Sequence, residues 1–201
     1  MRIAVLASGE GTNLQALLDR VQGRGGVTIV AVASDRHEAR ALERARAAGV
    51  ATSVFELEQY GDRAARDRAM AAWLTERDAE LIVLAGYMQL LSPEFLRIFG
   101  GRVINVHPAL LPAFRGLRAV EQAVEYGVKV FGVTVHFVDE GIDTGPVILQ
   151  RAVELDAGGV EEVMERLRPI EHALLPEAVR LLASGAVRID EANPRRVVIE
   201  R

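Results

Sequence analysis

Arg2-Ile3-Ala4-Val5-Leu6-Ala7-Ser8-Gly9-Glu10-Gly11-Thr12-Asn13-Leu14-Gln15-Ala16 opens the chain. Its first half is a short apolar run with no polar alternation, which is how a strand buried on both faces of a parallel sheet reads. Two glycines then mark a turn, and helical spacing begins at Thr12. Strand, glycine turn and helix form the first half of a βαβ unit. The pattern repeats downstream. Residues 27–33, 80–85 and 102–106 are further apolar, β-branched runs, and 12–24, 38–48 and 62–77 are rich in Ala, Leu, Arg and Glu at helical spacing. This alternation predicts an α/β fold, Rossmann-like and doubly wound, with a mostly parallel sheet. A single domain is expected over 1–201, with a phosphate-binding half (1–100) and a second half (101–201) of different character.

That second half begins with strand-like alternation over 129–138 and runs into the turn-rich loop Asp139-Glu140-Gly141-Ile142-Asp143-Thr144-Gly145. Residues 146–154 read as a second strand, giving a strand–loop–strand unit. Residues 161–183 read as a helix interrupted and kinked by Pro169. The tail, 186–201, is expected to add short edge strands. No internal repeat or linker is visible.

Composition narrows the function. The 201 residues are 50% hydrophobic and 26% charged, an ordinary globular balance, and include no cysteine. Disulfides, thiolate metal sites and cysteine nucleophiles are therefore excluded. The formal net charge is −4 and there is no basic tract, so nucleic acid is not the expected partner. Lys129 is the only lysine, which leaves one position for Schiff-base chemistry. No apolar run approaches the ~18 residues of a membrane span. The N-terminal apolar run is too short for a signal peptide, so the expected compartment is the cytoplasm.

Three places carry candidate chemistry. Backbone amides at the glycine turn, Gly11, Thr12 and Asn13, form an anion site at a helix start, usually for phosphate. The turn is similar to the dinucleotide fingerprint, but Leu14 stands where its third glycine belongs. Asp35, near the end of the second strand, sits where a ribose-binding acid would. The second place is Val103-Ile104-Asn105-Val106-His107-Pro108: residues two apart on a strand face the same way, so Asn105 and His107 present polar groups together at a ligand-binding edge. The third is the acidic loop, where Asp139, Glu140 and Asp143 also fit a solvated turn. Among the remaining histidines, His37 reads as a surface-turn residue, His136 as a hydrogen-bonded core residue and His172 as structural. No HExxH, paired-histidine or EF-hand spacing appears, and no G-x-S-x-G elbow. No metal is expected.

Four motifs together carry a resemblance: S-G-x-G-T-N-L-Q-A from Ser8 to Ala16, A-G-Y-M-x-x-L-S-P from Ala85 to Pro93, I-N-V-H-P-A-L-L-P from Ile104 to Pro112, and G-V-T-V-H-F-V-D-E-G-I-D-T-G-P from Gly132 to Pro146. The chain resembles the folate-dependent formyltransferase family, in its phosphoribosylglycinamide formyltransferase (glycinamide ribonucleotide transformylase) branch, almost end to end. The resemblance implies a formyltransferase-type sheet and transfer of a formyl group from 10-formyltetrahydrofolate, the co-substrate, to the amine of glycinamide ribonucleotide in purine biosynthesis. It implies that Gly11, Thr12 and Asn13 hold the acceptor's phosphate and that Glu171 contacts the acceptor. It places the folate against Arg63, Met88, Gln89, Leu90 and Leu91, and against Val138, Asp139, Glu140, Gly141, Ile142 and Asp143. Its catalytic trio falls on Asn105, His107 and Asp143, with Asn105 also on the folate side. The second half is then the catalytic and folate-binding half. The chain departs from relatives at 114–120, which carries no histidine, and at Arg168 and Pro169 on the late helix.

The trio suits that chemistry. Attack of an amine on a formyl carbon develops an oxyanion, which Asn105 and a protonated His107 can meet. A carboxylate beside His107 favours its charged form. The proton can pass through His107, Asp143 or water. Expected partners are small molecules only, and the oligomeric state is left open between monomer and homodimer. Methionyl-tRNA formyltransferases carry a further C-terminal domain for which 201 residues are expected to leave no room, and formyltetrahydrofolate hydrolases an N-terminal regulatory domain, not expected here because the core strand starts at Arg2. Outside formyl-transfer chemistry, the competing functions are a nicotinamide-binding Rossmann protein, favoured by Asp35, and a silent binding module.

Overall fold

Ile3, Ala4, Val5 and Leu6 are fully buried on strand β1 (Arg2–Leu6), so both faces of the first strand are covered. Each large side chain so buried contributes about 1.5–3 kcal/mol. The structure, a computed structural model, describes residues 1–156 and 158–200. Among these residues the further strands of the main sheet are β2 (Thr28–Ser34), β3 (Ala51–Val54), β4 (Leu81–Leu84), β5 (Val103–His107), β6 (Val130–Phe137) and β7 (Val147–Glu154). Their order across the sheet is β3-β2-β1-β4-β5-β6-β7. Six helices accompany them: α1 (Thr12–Arg20), α2 (Arg40–Ala47), α3 (Arg63–Thr75), α4 (Pro93–Ile98), α5 (Ala119–Tyr126) and α6 (Val160–Ala183). The chain divides into two units, Met1–Ile104 and Asn105–Arg201.

In the first unit β1 pairs in parallel with both β2 and β4, and β2 with β3. The sheet order therefore reverses between β1 and β4, the switch point where open α/β sheets bind ligands. Helix α1 ends at Arg20 instead of running to 24. Val21 leaves helical geometry, and Gly23, Gly25 and Gly26 take positive φ in a tight turn closed by Gly23 N to Val27 O at 2.9 Å. Strand β3 escapes a reading of apolar runs because Ala-Thr-Ser-Val is short and only partly buried. Helix α4 is announced locally: Ser92 accepts from Phe95 N at its start and Pro93 takes the first turn.

In the second unit β6 is almost wholly buried, while its antiparallel partner β7 is largely exposed. The buried Thr134 hydroxyl donates to Ala109 O at 2.7 Å and accepts from Leu111 N and Gln150 Nε2, which ties the loop after β5 to this hairpin. Helix α6 runs unbroken for 24 residues through Pro169 and Pro176, so the expected interruption at Pro169 is corrected. Its buried stripe of Val163, Leu167, Leu174, Leu175, Ala178 and Val179 outweighs the lost backbone bonds. The tail is corrected too. It forms β8 (Val187–Asp190) and β9 (Asn193–Ile199), which pair with each other as a separate two-stranded sheet rather than extending the main one. No helix among the described residues is long and apolar enough to cross a membrane.

Candidate functional site

The glycine turn sits at the carboxyl end of β1. Gly11 is the N-cap of α1 in left-handed geometry, φ 69 and ψ 30, and a Cβ there would lie 2.7 Å from Ala41 Cα. Only glycine meets both demands. The first bond of the α1 ladder is Gln15 N to Gly11 O at 2.9 Å, so the amides of Thr12 and Leu14 lie outside that ladder at the positive end of the helix. Thr12 is half-buried and Asn13 buried.

At the end of β4, Ser8 N donates to Gly86 O at 3.0 Å, and Ser8 Oγ accepts from Met88 N at 2.8 Å. The switch-point turn therefore holds the segment carrying Met88, Gln89, Leu90 and Leu91. Met88 and Leu90 are more than half exposed, Gln89 and Leu91 half-buried. Asp35 is buried and accepts from Gln89 Nε2 at 3.1 Å, so it serves this segment. Burial pushes the Tyr87 phenol up. Arg63 opens α3 with its side chain exposed. One turn later Arg66 is fully buried and donates to Leu90 O at 3.1 Å. Sequence reasoning misses Arg66, although a signal exists: Arg66, Met70 and Leu74 share the buried stripe of α3.

In the second unit three polar side chains and one backbone amide surround a single carboxylate. Asn105 and His107, two apart on β5, both reach Asp143. Asn105 Nδ2 donates to Asp143 Oδ1 at 3.3 Å, and His107 Nδ1 lies 3.4 Å from Oδ2. Gly116 N donates to the same Oδ2 at 2.8 Å. His136, on the neighbouring strand β6, brings Nε2 to 3.5 Å from Oδ1 and 3.2 Å from Asn105 Nδ2. Its Nδ1 lies 2.7 Å from the Phe137 carbonyl, so it donates there. His136 is thus a core residue, as its alternation suggests, and also a member of the cluster, which no linear spacing reveals.

Burial alone would raise the Asp143 pKa. The His136 hydrogen bond, the His107 charge and the Gly116 amide outweigh burial and lower it from 3.8 to about 2. His107 meets an acceptor at each ring nitrogen, Asp143 at Nδ1 and the Phe114 carbonyl at Nε2, 2.8 Å away. Asp143 and Phe114 hold left-handed backbone geometry, φ 50 and 51, so the loops bearing them are held against local preference. The arrangement can present amide and imidazole donors to a developing negative charge beside a fixed anion.

The loop leading to Asp143 braces itself. Asp139 Oδ1 accepts from Gly141 N at 3.1 Å and from the Thr144 hydroxyl. Val138 and Asp139 are half-buried, whereas Glu140, Gly141 and Ile142 are exposed. Glu171 and His172 are half-buried on α6, and Arg168 and Pro169 are exposed. His37 is exposed, and its hydrogen bond to Glu56 at 2.7 Å, reinforced by the Glu56 and Glu38 charges, raises its pKa. With Glu38 and Glu56 it makes the one group of side chains among the described residues close enough to share a metal ion.

Residues 1–179 match the model of the formyl transferase family. The chain is 42% identical over 183 residues to phosphoribosylglycinamide formyltransferase of Bacillus subtilis, covering 90% of this chain and 94% of that one. It is 44% identical over 192 residues to the trifunctional purine biosynthetic protein adenosine-3 of Bos taurus, covering 94% of this chain but spanning only 19% of that protein's length. The crystal structure of glycinamide ribonucleotide transformylase 1 from Symbiobacterium toebii superposes with a TM-score of 0.95 at 48% identity, over 100% of this chain and 94% of that one. The chain belongs to the formyl transferase family, in the branch of the phosphoribosylglycinamide formyltransferases.

Proposed function

We propose that this protein is a cytoplasmic phosphoribosylglycinamide formyltransferase, transferring the formyl group of 10-formyltetrahydrofolate to the amine of 5-phosphoribosylglycinamide in de novo purine (IMP) biosynthesis. The observation that carries the proposal is the carboxylate of Asp143 set between Asn105, His107 and His136, with Asn105 and His107 on one strand face. In this reading the acceptor's phosphate binds the amides of Gly11, Thr12 and Asn13, and Glu171 contacts the acceptor. The folate lies against Arg63, Met88, Gln89, Leu90 and Leu91 and against Asn105 and the loop from Val138 to Asp143.

The amine attacks the formyl carbon and a tetrahedral centre forms with its oxygen negative. Asn105 Nδ2 and the imidazole of His107 serve as donors to that oxygen. Each such donor is worth about 2.7–4 kcal/mol in the transition state. The amine loses a proton and the leaving nitrogen of the folate gains one. The proton can pass through His107, Asp143 or water. No covalent intermediate and no metal are required. The test is formyl transfer with purified protein, 10-formyltetrahydrofolate and glycinamide ribonucleotide. The expected result is consumption of the donor that depends on the acceptor and is abolished in His107→Asn. Consumption at the same rate without acceptor, releasing formate, overturns the proposal.

A further inference from the structure

Arg66 and Asp67 are adjacent on α3 and wholly inaccessible to solvent, the most completely buried charges in the first unit. Arg66 Nε and Nη2 donate to Asp67 Oδ1 at 2.8 and 2.7 Å. What remains of the pair's hydrogen-bonding capacity goes to one short segment. Arg66 Nη2 donates to Leu90 O at 3.1 Å, Nη1 lies 3.5 Å from Gln89 Oε1, and Asp67 Oδ2 accepts from Ser92 N. Gln89 is held from its other side, its Nε2 donating to Asp35. The same segment turns Leu90 out to solvent, 55% exposed.

A buried ion pair is a weak source of stability, because well-packed apolar residues of the same volume serve the core as well or better. What it supplies is a fixed geometry: a planar guanidinium and a carboxylate set a neighbouring backbone in one register. We propose that Arg66 and Asp67 are positioning residues for the formyl donor, pinning the backbone of residues 89–92 from beneath so that its exposed side is already ordered when the folate binds. This rests on the assignment of Met88, Gln89, Leu90 and Leu91 to the folate. A pre-ordered segment lowers the cost of binding the donor and leaves the acceptor's binding unchanged.

The test is the double variant Arg66→Met/Asp67→Leu, which removes both charges together and keeps the volume. Steady-state kinetics should show the KM for 10-formyltetrahydrofolate rising about tenfold or more, equivalent to about 1.4 kcal/mol. The KM for glycinamide ribonucleotide should stay within about twofold, and hydrogen exchange at the Ser92 amide should accelerate. Arg66→Lys keeps the charge but not the fork, so its donor KM should fall between wild type and double variant. If the double variant does not fold, Arg66→Lys carries the same test. A folded variant whose donor KM stays within twofold of wild type overturns the proposal, whatever the exchange shows. Leu90→Ala then locates the fault. If it too leaves the donor KM unmoved, the folate assignment of the segment fails. If it raises the donor KM, the assignment stands and the pair has no positioning role.

Discussion

Asp143 adopts φ 50, a conformation that aspartate and asparagine tolerate better than most residues. Asp143→Asn therefore keeps the backbone and removes only the negative charge 3.4 Å from His107 Nδ1. Its kcat should fall by roughly a hundredfold. His107→Asn should lose more, because it removes the imidazole donor itself. A kcat for Asp143→Asn within twofold of wild type shows that the carboxylate charge has no part in the reaction. Gly11→Ala meets two obstacles at once, left-handed φ and a Cβ 2.7 Å from the Ala41 backbone. It should destabilise the protein by about 1–3 kcal/mol in urea unfolding. It should also raise the KM for glycinamide ribonucleotide well above any change for the folate.

Helix α6 shows how packing overrides a local rule at the level of an element. Pro169 is exposed and Pro176 buried on the same continuous helix. At Pro169, alanine restores a backbone donor and removes the ring without opening a cavity. Pro169→Ala should therefore stabilise the protein by about 1–2 kcal/mol, after allowing for the stiffer unfolded chain that proline confers. Its melting temperature should rise by roughly 2–8 °C. Pro176→Ala trades the same restored donor against lost core volume and should gain less. A melting temperature for Pro169→Ala at or below wild type shows that the ring itself is needed where it stands.

Acid stability is a property of the whole molecule, but one residue in this chain marks it. The Asp143 pKa is about 2 in the folded protein and 3.8 ordinarily, so its contribution is complete above pH 4 and lost as the pH falls towards 2. Its side chain is 14% exposed, and the shift corresponds to about 2 kcal/mol. Unfolding free energies of wild type and Asp143→Asn, measured between pH 5 and pH 2, should differ by an amount that shrinks by about that much. A constant difference removes the ion-pair account. Formyl transfer should also survive exhaustive chelation, since the proposed reaction draws only on amide and imidazole donors. Activity lost to EDTA and restored by a divalent ion overturns a metal-free reaction.

Local chemistry was enough for much of this protein. Unbroken apolar runs specified strands buried on both faces, the paired glycines specified a turn into the first helix, and the two-residue spacing of Asn105 and His107 specified a shared strand face. These follow from the periods of strand and helix and from the steric limits of single residues, which act over a few positions. Asp143 was reached through resemblance, since nothing in its own turn separates it from a solvated acid. The rest depended on distant parts of the chain. His136 joins the carboxylate because β6 lies beside β5 in the sheet, and Arg66 turns inward because residues 89–92 offer acceptors above α3. Helix α6 continues past two prolines because its apolar stripe has a core to enter. Strand neighbours, the pairing of buried charges and the burial of a helix face are settled by contacts between segments far apart in sequence, so only the tertiary structure decides them.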